Sequence, residues 1–530
     1  MDRDDDDFGE GFIAESHPLR PTHLNVPLGG RNESRAPSIS SSVSDMDVPI
    51  YTRETTIPLS AKKGLNANLM FAIAAAALGS SFQHGYNTGV IANSGKVLKE
   101  WISDRLVERN ESPESLTFIF AIIVSIFCLG GMVGGCSVGY VADRFGRKGG
   151  LLLNNILVFL TVLFEGLAKP TSSYYMFIIG RFIIGINSGL NAGLAPMYLS
   201  EISPSHLRGA VGTIYQLIIT ISILVAQILG LDGLFGTPTQ WPTLFCLTAV
   251  PAIFQLVTLP FCPESPKYLL LTRGRDLDSQ RAMSWLRGSI DVQDEMDEMR
   301  TEYESMKLVP AVSLKELIMN ASLRIPLQIA VMMMIAQQMS GINAIVFFST
   351  KIFTMAGLND STSQMATLGV GAVNVFMTIV SLFLVERAGR KTLLLTGFAG
   401  MTVVTFLLAI MLPHAKTSAF ATYGAILMVI LFFVLFATGP GSIPWFLVTE
   451  LFNQSARPVA TSVAIGVNWT ANFFVSFGFE PIEQSIHHYV FYIFAVLQAL
   501  FTFYIFKQVP ETRNKSIEEI SSLFRQRSYQ

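Results

Sequence analysis

The sequence predicts an all-α membrane protein: twelve transmembrane helices arranged as two six-helix halves. Three observations carry that prediction. The 530 residues are 50% hydrophobic and only 14% charged, with a mean hydropathy of +0.45, against ~25% charged residues in an ordinary soluble domain. Apolar segments long enough to cross the ~30 Å of a bilayer core recur along the chain. Short motifs of the first half return in the second at offsets of about 243–249 residues, the mark of an internal repeat.

In chain order, residues 1–63 are polar, acidic at the start, then rich in Pro and Ser. Such a composition cannot bury a core and predicts a disordered cytoplasmic tail. The opening Asp-Arg-Asp-Asp-Asp-Asp is not a signal peptide. The first half, 64–262, holds apolar spans near 66–88, 117–138, 151–168, 174–195, 211–231 and 241–262. A charged linker, 263–323, carries seven acidic residues between Asp291 and Lys307 and predicts short cytoplasmic helices. The second half, 324–508, holds spans near 324–346, 364–385, 392–413, 421–447, 458–479 and 489–508, and a cytoplasmic tail, 509–530, follows.

Charge sets the orientation. The loops 143–150 and 386–391 concentrate Arg144, Arg147, Lys148, Arg387, Arg390 and Lys391. The positive-inside rule makes them, and with an even span count both termini, cytoplasmic. The loop 89–116 is then external and offers Asn110-Glu-Ser as a glycosylation acceptor, with Asn359-Asp-Ser a second candidate. The net charge of −2 gives no hint of a nucleic-acid partner. Cys128, Cys136, Cys246 and Cys262 lie in or at the ends of apolar segments and read as packing residues.

The repeat is specific. Gly146-Arg-Lys148 returns as Gly389-Arg-Lys391, Pro263-Glu-Ser265 as Pro510-Glu-Thr512, and Glu201 and Arg208 as Glu450 and Arg457. Parallel halves of this kind place a ligand site at the midplane between them. The candidate stretch is 334–348. Gln337, Gln338 and Asn343 are amides in an apolar span, separated by Gly341. Each would cost ~1–3 kcal/mol if buried unpaired. A bend at Gly341 and a water-lined cavity would accommodate them, and an uncharged polyhydroxylated ligand would suit their donors and acceptors. Gln216, Asn374 and Asn472 are further amides in apolar spans. Trp445 follows Gly439-Pro-Gly441 and Ile443-Pro444, which break a helix.

These residues carry a resemblance. The ordered set Gly139-x-x-x-Asp143-Arg144-x-Gly146-Arg147-Lys148, Pro263-Glu-Ser-Pro266, Gln337-Gln-x-Ser-Gly-Ile-Asn343, Gly439-Pro-Gly-x-Ile-Pro-Trp445 and Pro510-Glu-Thr512 resembles the sugar porter family of the major facilitator superfamily. Gly85-Tyr-Asn-Thr-Gly-Val90, Asn468-Trp-Thr-x-Asn-Phe473 and Phe261-Cys-Pro-Glu-Ser-Pro266 resemble the animal facilitative glucose transporters within it. The likeness spans about 66–525.

The resemblance implies a hexose uniporter of the plasma membrane working by alternating access, with no cofactor and no obligate protein partner. Its hexose site would use Gln216, Gln337, Gln338, Asn343, Asn374, Trp445 and Asn472. Asp143, Arg144, Arg147, Glu201 and Arg208, mirrored by Glu386, Arg387, Arg390, Glu450 and Arg457, would form an inner gate. The chain departs from many glucose-selective members at Met334, Ile335, Ala336 and Ala437, and has Phe347 and Phe348 where many have tyrosines. Selectivity would turn on those positions, and fructose stands beside glucose as substrate. A proton–sugar symporter is the alternative; its relatives place an Asp where Asn87 stands, leaving His84 one turn earlier. A non-transporting receptor would need a longer signalling tail. No catalytic motif is present to suggest an enzyme.

Overall fold

The structure, a computed structural model, describes residues 65–528 apart from 205, 206 and 454. The expected polar tail, 1–63, lies outside the described residues. Asn66 caps the first helix by accepting from the Leu69 N–H at 2.9 Å. That helix, α1 (Ala67–Ala76), passes through a π turn, Ala77–Ser81, into α2 (Phe82–Glu108). The half continues with α3 (Ser115–Phe145), α4 (Arg147–Ala168), α5 (Tyr174–Ile202), α6 (Arg208–Leu229), α7 (Trp241–Cys246) and α8 (Ala249–Thr258).

Four shorter helices occupy the charged stretch: α9 (Pro266–Leu271), α10 (Asp276–Arg287), α11 (Gln293–Leu308) and α12 (Leu314–Met319). Arg287 anchors them to the first half by donating to the Ile202 carbonyl at 2.8 Å. The second half is α13 (Ala321–Met339), α14 (Ile342–Met355), α15 (Asp360–Ala388), α16 (Arg390–Met411), α17 (Ala419–Thr438), α18 (Ile443–Leu451), α19 (Arg457–Ile486) and α20 (Val490–Gln508). A last helix, α21 (Ile517–Ser528), buries Ile520 and Phe524 against this half.

Among the described residues, ten helical stretches are long and apolar enough to cross a membrane. One of them, Arg457–Gln508, holds two spans, α19 and α20, parted by a turn of 3-10 helix at His487–Tyr489. The stretch of α1 and α2 stands outside the ten; it is split by the π turn, and its far part carries Lys96, Lys99 and Glu100. Together these give twelve spans.

The sequence repeat is a repeated piece of chemistry. Both Gly-Arg-Lys turns begin on a glycine with positive φ and extended ψ, Gly146 (φ 83°, ψ 175°) and Gly389 (φ 89°, ψ 157°), a region essentially closed to other residues. Each turn opens a helix whose free N–H groups need acceptors. Glu264 of Pro-Glu-Ser accepts from the N–H groups of Arg147 (3.1 Å), Lys148 (2.9 Å) and Gly149 (3.2 Å). Glu511 of Pro-Glu-Thr accepts from Arg390 (2.9 Å) and Lys391 (3.1 Å). A carboxylate at a helix N-terminus also meets the positive end of the helix dipole. Arg147 then pairs with Glu201 at 3.0 Å, and Arg390 with Glu450 at 2.9 Å. The Ser265 and Thr512 hydroxyls donate to those same two glutamates.

Apolar packing divides the molecule by depth. One cluster, including Tyr86, Phe120, Trp241, Phe347, Phe348 and Phe479, draws on both halves. A second lies in the first half and the adjoining linker, around Leu69, Leu151, Leu199 and Val211. A third lies in the second half and its flanks, around Met333, Leu394, Leu447 and Ile505. The halves therefore share a core at the end carrying Lys96 and Lys99, the lysine end. They keep separate cores at the end carrying Arg147 and Arg390, the arginine end.

Candidate functional site between the two halves

The central stretch breaks where glycine allows it. α13 ends at Met339, Gly341 adopts the left-handed conformation (φ 93°, ψ 5°), and α14 starts at Ile342. A second break parts α17 from α18 at 439–442, in Gly-Pro-Gly-Ser. Breaks inside a membrane span strand backbone carbonyls, which must find donors nearby. Gln337 supplies them: its Nε2 donates to the carbonyls of Pro440 (3.1 Å) and Gly441 (2.8 Å). One side chain thus joins the two breaks.

The remaining amides build outward from it. Asn468 donates to Gln337 Oε1 at 2.8 Å, and Gln338 donates to Asn468 Oδ1 at 3.1 Å. Gln338 also reaches Gln337 Oε1 at 3.3 Å, and Asn343 donates to Gln338 Oε1. Counting donors and acceptors separates their roles. Both donors and the acceptor oxygen of Gln337 are engaged within the protein. Asn343, half-buried, uses one donor and keeps its other N–H and its carbonyl. Asn472, 9% exposed, accepts from the Ser476 hydroxyl at 3.0 Å and keeps its two donors. Asn343 and Asn472 thus keep capacity for a ligand.

The other predicted residues lie around this group at varied exposure. Gln216 is exposed on α6, Asn374 is half-buried on α15, and Trp445 is 38% exposed at the start of α18. Their mutual distances form no hydrogen bonds among the described residues. Met334 and Ala336 are fully buried, Ala437 is buried and Ile335 half-buried. Met334 reaches the group through its sulfur, 3.5 Å from Asn468 Nδ2.

Asn468 is a member that sequence reasoning did not single out as a site residue. The signal was available: it stands four residues before Asn472, one helical turn along the same face. A second amide group, Gln83, Asn154, Asn155, Asn187 and Asn191, lies wholly within the first half and is fully buried. Its members bond to one another and to Gln255, and read as polar glue between helices. His84 lies between the halves, with Nδ1 3.0 Å from the Tyr215 hydroxyl and its ring 6.0 Å from that of Trp469.

The polar contacts between the halves are one-sided. At the lysine end, Lys96 pairs with Asp360, Lys99 with Glu480, Asn93 accepts from Thr350 at 2.6 Å, and Gln364 donates to Asp232 at 2.8 Å. Near the middle, Thr470 reaches the Met132 sulfur at 3.2 Å. At the arginine end, the ion pairs of the described residues fall within each half: Arg147–Glu201 and Arg390–Glu450. Arg208 donates to the Ser200 carbonyl at 3.2 Å and Arg457 to that of Phe452 at 3.2 Å. Asp143 lies 4.0 Å from Arg147, and Arg144 and Arg387 are exposed. The side chain of Glu386 lies outside the described residues. Among the described residues, polar contacts and ion pairs join the halves at the lysine end, and no ion pair joins them at the arginine end.

The family model for "Sugar (and other) transporter" matches residues 72–524. The chain belongs to the sugar transporter family. Its curated relatives include a facilitated glucose transporter protein 1 of Caenorhabditis elegans, 45% identical over 84% of this chain and 89% of the relative. The solute carrier family 2, facilitated glucose transporter member 1 of Gallus gallus is 44% identical over 87% and 94%. Member 4 of Homo sapiens is 43% identical over 87% and 91%. Among solved structures, the xylose transporter XylE of E. coli in a partially occluded inward-open conformation matches with a TM-score of 0.73 at 24% identity, over 85% of this chain and all of that one. The inward-open conformation of XylE matches with a TM-score of 0.72. The likeness establishes the twelve-helix major facilitator fold for this sugar transporter.

Proposed function

We propose that this chain is a facilitative uniporter of hexoses, glucose or fructose or both, that works by alternating access between its two halves. The observation that carries the reading is the amide group at the break between α13 and α14. It is uncharged, and unused donors and an acceptor remain on Asn343 within it and on Asn472, one helical turn from Asn468. Hydroxyls of a neutral sugar match such groups without the desolvation cost of a charge. The named activity of the curated relatives, facilitated glucose transport, supports the same reading.

The inner face is taken to be the arginine end, because cytoplasmic loops carry the Lys and Arg excess. The protein then spans the plasma membrane with both termini in the cytoplasm, and Asn110, exposed beyond α2, is the external glycosylation acceptor. Residues 64–262 and 324–508 act as the moving halves, 263–323 as the cytoplasmic linker and 509–530 as the terminal tail. In this orientation the structure has its outside closed.

Uniport is favoured at Asn87, whose Nδ2 donates to the Gln83 carbonyl and to Thr248 Oγ1, each at 2.8 Å. A locked amide there carries no proton. One observation favours the symport reading instead. Glu165 is fully buried, neither carboxylate oxygen has a hydrogen-bond partner among the described residues, and it interacts electrostatically with Arg181. The first test is uptake of radiolabelled glucose and fructose by cells lacking carriers of their own. Saturable uptake of at least one hexose, competed by the unlabelled sugar, is the expected result; uptake no greater than in cells without the protein contradicts the reading.

A further inference from the structure

We propose that Glu480 is the latch of the outer gate, holding the two halves together through Lys99 and released when the carrier opens outward. This rests on the reading of the chain as an alternating-access carrier with its arginine end inside. Glu480 lies on α19, in the second half, with its side chain fully buried. Its Oε1 accepts from two lysines: Lys99 of α2, in the first half, and Lys351 of α14, in its own half, at 2.9 Å. Lys351 also pairs with Glu483 at 2.6 Å.

The two lysines differ in what happens when the halves part. Lys351 travels with Glu480, so the carboxylate keeps a counter-charge in the open state. Lys99 travels with the other half and is 26% exposed, so its ammonium passes readily to water. A buried carboxylate stripped of every partner would forbid opening; a carboxylate with one fixed and one removable partner makes a reversible latch. The second cross-half pair, Lys96–Asp360, is 62% and 48% exposed and adds little, as exposed pairs do.

The latch is continuous with the parts that must move. Lys99 Nζ lies 4.5 Å from the Phe120 ring centroid. Phe120 meets Phe348 edge-on at 6.2 Å, and Phe348 packs on Phe479, next to Glu480, at 5.0 Å. Phe348 is also the residue at which α14 leaves helical geometry (φ −118°, ψ 18°). Breaking the Lys99–Glu480 pair therefore frees an aromatic plug seated on a helix kink. Phe347 and Phe348 offer no hydroxyls, so the polar hold on the closed gate comes from the ion pair together with the Thr350–Asn93 and Gln364–Asp232 hydrogen bonds.

The test compares the parent with Glu480→Gln, Lys99→Met and the double variant, each checked for surface expression. One readout is the ratio of half-saturating sugar concentrations for influx and efflux. The other needs no transport: labelling of Ser349→Cys, in a Cys136→Ala background, by a membrane-impermeant maleimide added outside. Ser349 is buried beside the plug when the gate is shut. Each single variant is expected to raise labelling on the order of tenfold, within the usual range of coupling between two states, and to shift the influx–efflux ratio in step. The double variant is expected to add nothing to the singles, because one interaction is lost once. Unchanged labelling in both singles, or fully additive effects in the double, overturns the latch. Loss of sugar uptake by the parent overturns the carrier reading instead and leaves the labelling result to stand by itself.

Discussion

Asn343 and Gln337 lie six residues apart, about 240° out of phase on a straight helix, yet the left-handed turn at Gly341 brings both into one hydrogen-bonded group. Their spare capacities differ, and so do their predicted phenotypes. Asn343→Ala removes a ligand-facing amide and is expected to weaken hexose affinity about 5–30-fold, the effect of ~1–2 kcal/mol lost with a neutral hydrogen bond. Gln337→Ala strands the Pro440 and Gly441 carbonyls, and each buried group left unpaired costs ~1–3 kcal/mol. That variant is expected to melt earlier in detergent, before any loss of affinity in the fraction that stays folded. Equilibrium sugar binding and thermal unfolding on both variants check the split; equal loss of affinity with unchanged unfolding would make Gln337 a ligand contact. At this scale the sequence was informative about residue type and poor about residue role. Amides in apolar spans marked Gln337, Gln338 and Asn343, but composition alone could not tell them from the satisfied amides Asn155, Asn187 and Asn191 of the first half. The distinction depends on partners far along the chain, such as Pro440 for Gln337.

Helix starts are the next scale, and there the repeat was legible as spacing before it was intelligible as structure. Gly-Arg-Lys and Pro-Glu-Ser/Thr are 117 and 121 residues apart where their members bond, so nothing local joins them in the sequence. In space the glutamate closes the helix N-terminus that the glycine opens. Glu511 is the clearer titrating case. Burial pushes its carboxyl up, but the N–H groups of Arg513, Arg390, Lys391 and Thr512 outweigh this and hold it below the usual carboxylate range. A depressed carboxyl stabilises the fold fully above its unfolded value, ~4.3 for Glu, and loses that contribution as pH falls through the folded value. The parent is therefore expected to lose thermal stability between pH 7 and acid pH more steeply than Glu511→Gln, the two curves converging at low pH. Parallel curves over the whole range would remove Glu511 from the account.

For the whole molecule, spans and repeat announced twelve helices in two halves, because apolar length and periodic motifs are written directly into the chain. The state of the carrier was not written there. It emerges from which apolar residues share a core: Phe120 with Phe348 across the halves at the lysine end, but Leu199 and Leu447 each within its own half at the arginine end. One of the cross-half ion pairs at the lysine end joins Lys99 to Glu480, 381 residues away. The proposed uniporter, with neutral amides at its site, needs no energy source to move sugar down its gradient. The measurement that tests this most directly is sugar accumulation in proteoliposomes under an imposed pH gradient. The account predicts that hexose enters to equal concentration on both sides and no further, at the same final level with or without the gradient. Accumulation above the external concentration, driven by an inward proton gradient and abolished by Glu165→Gln, would contradict uniport and make the protein a proton-coupled carrier.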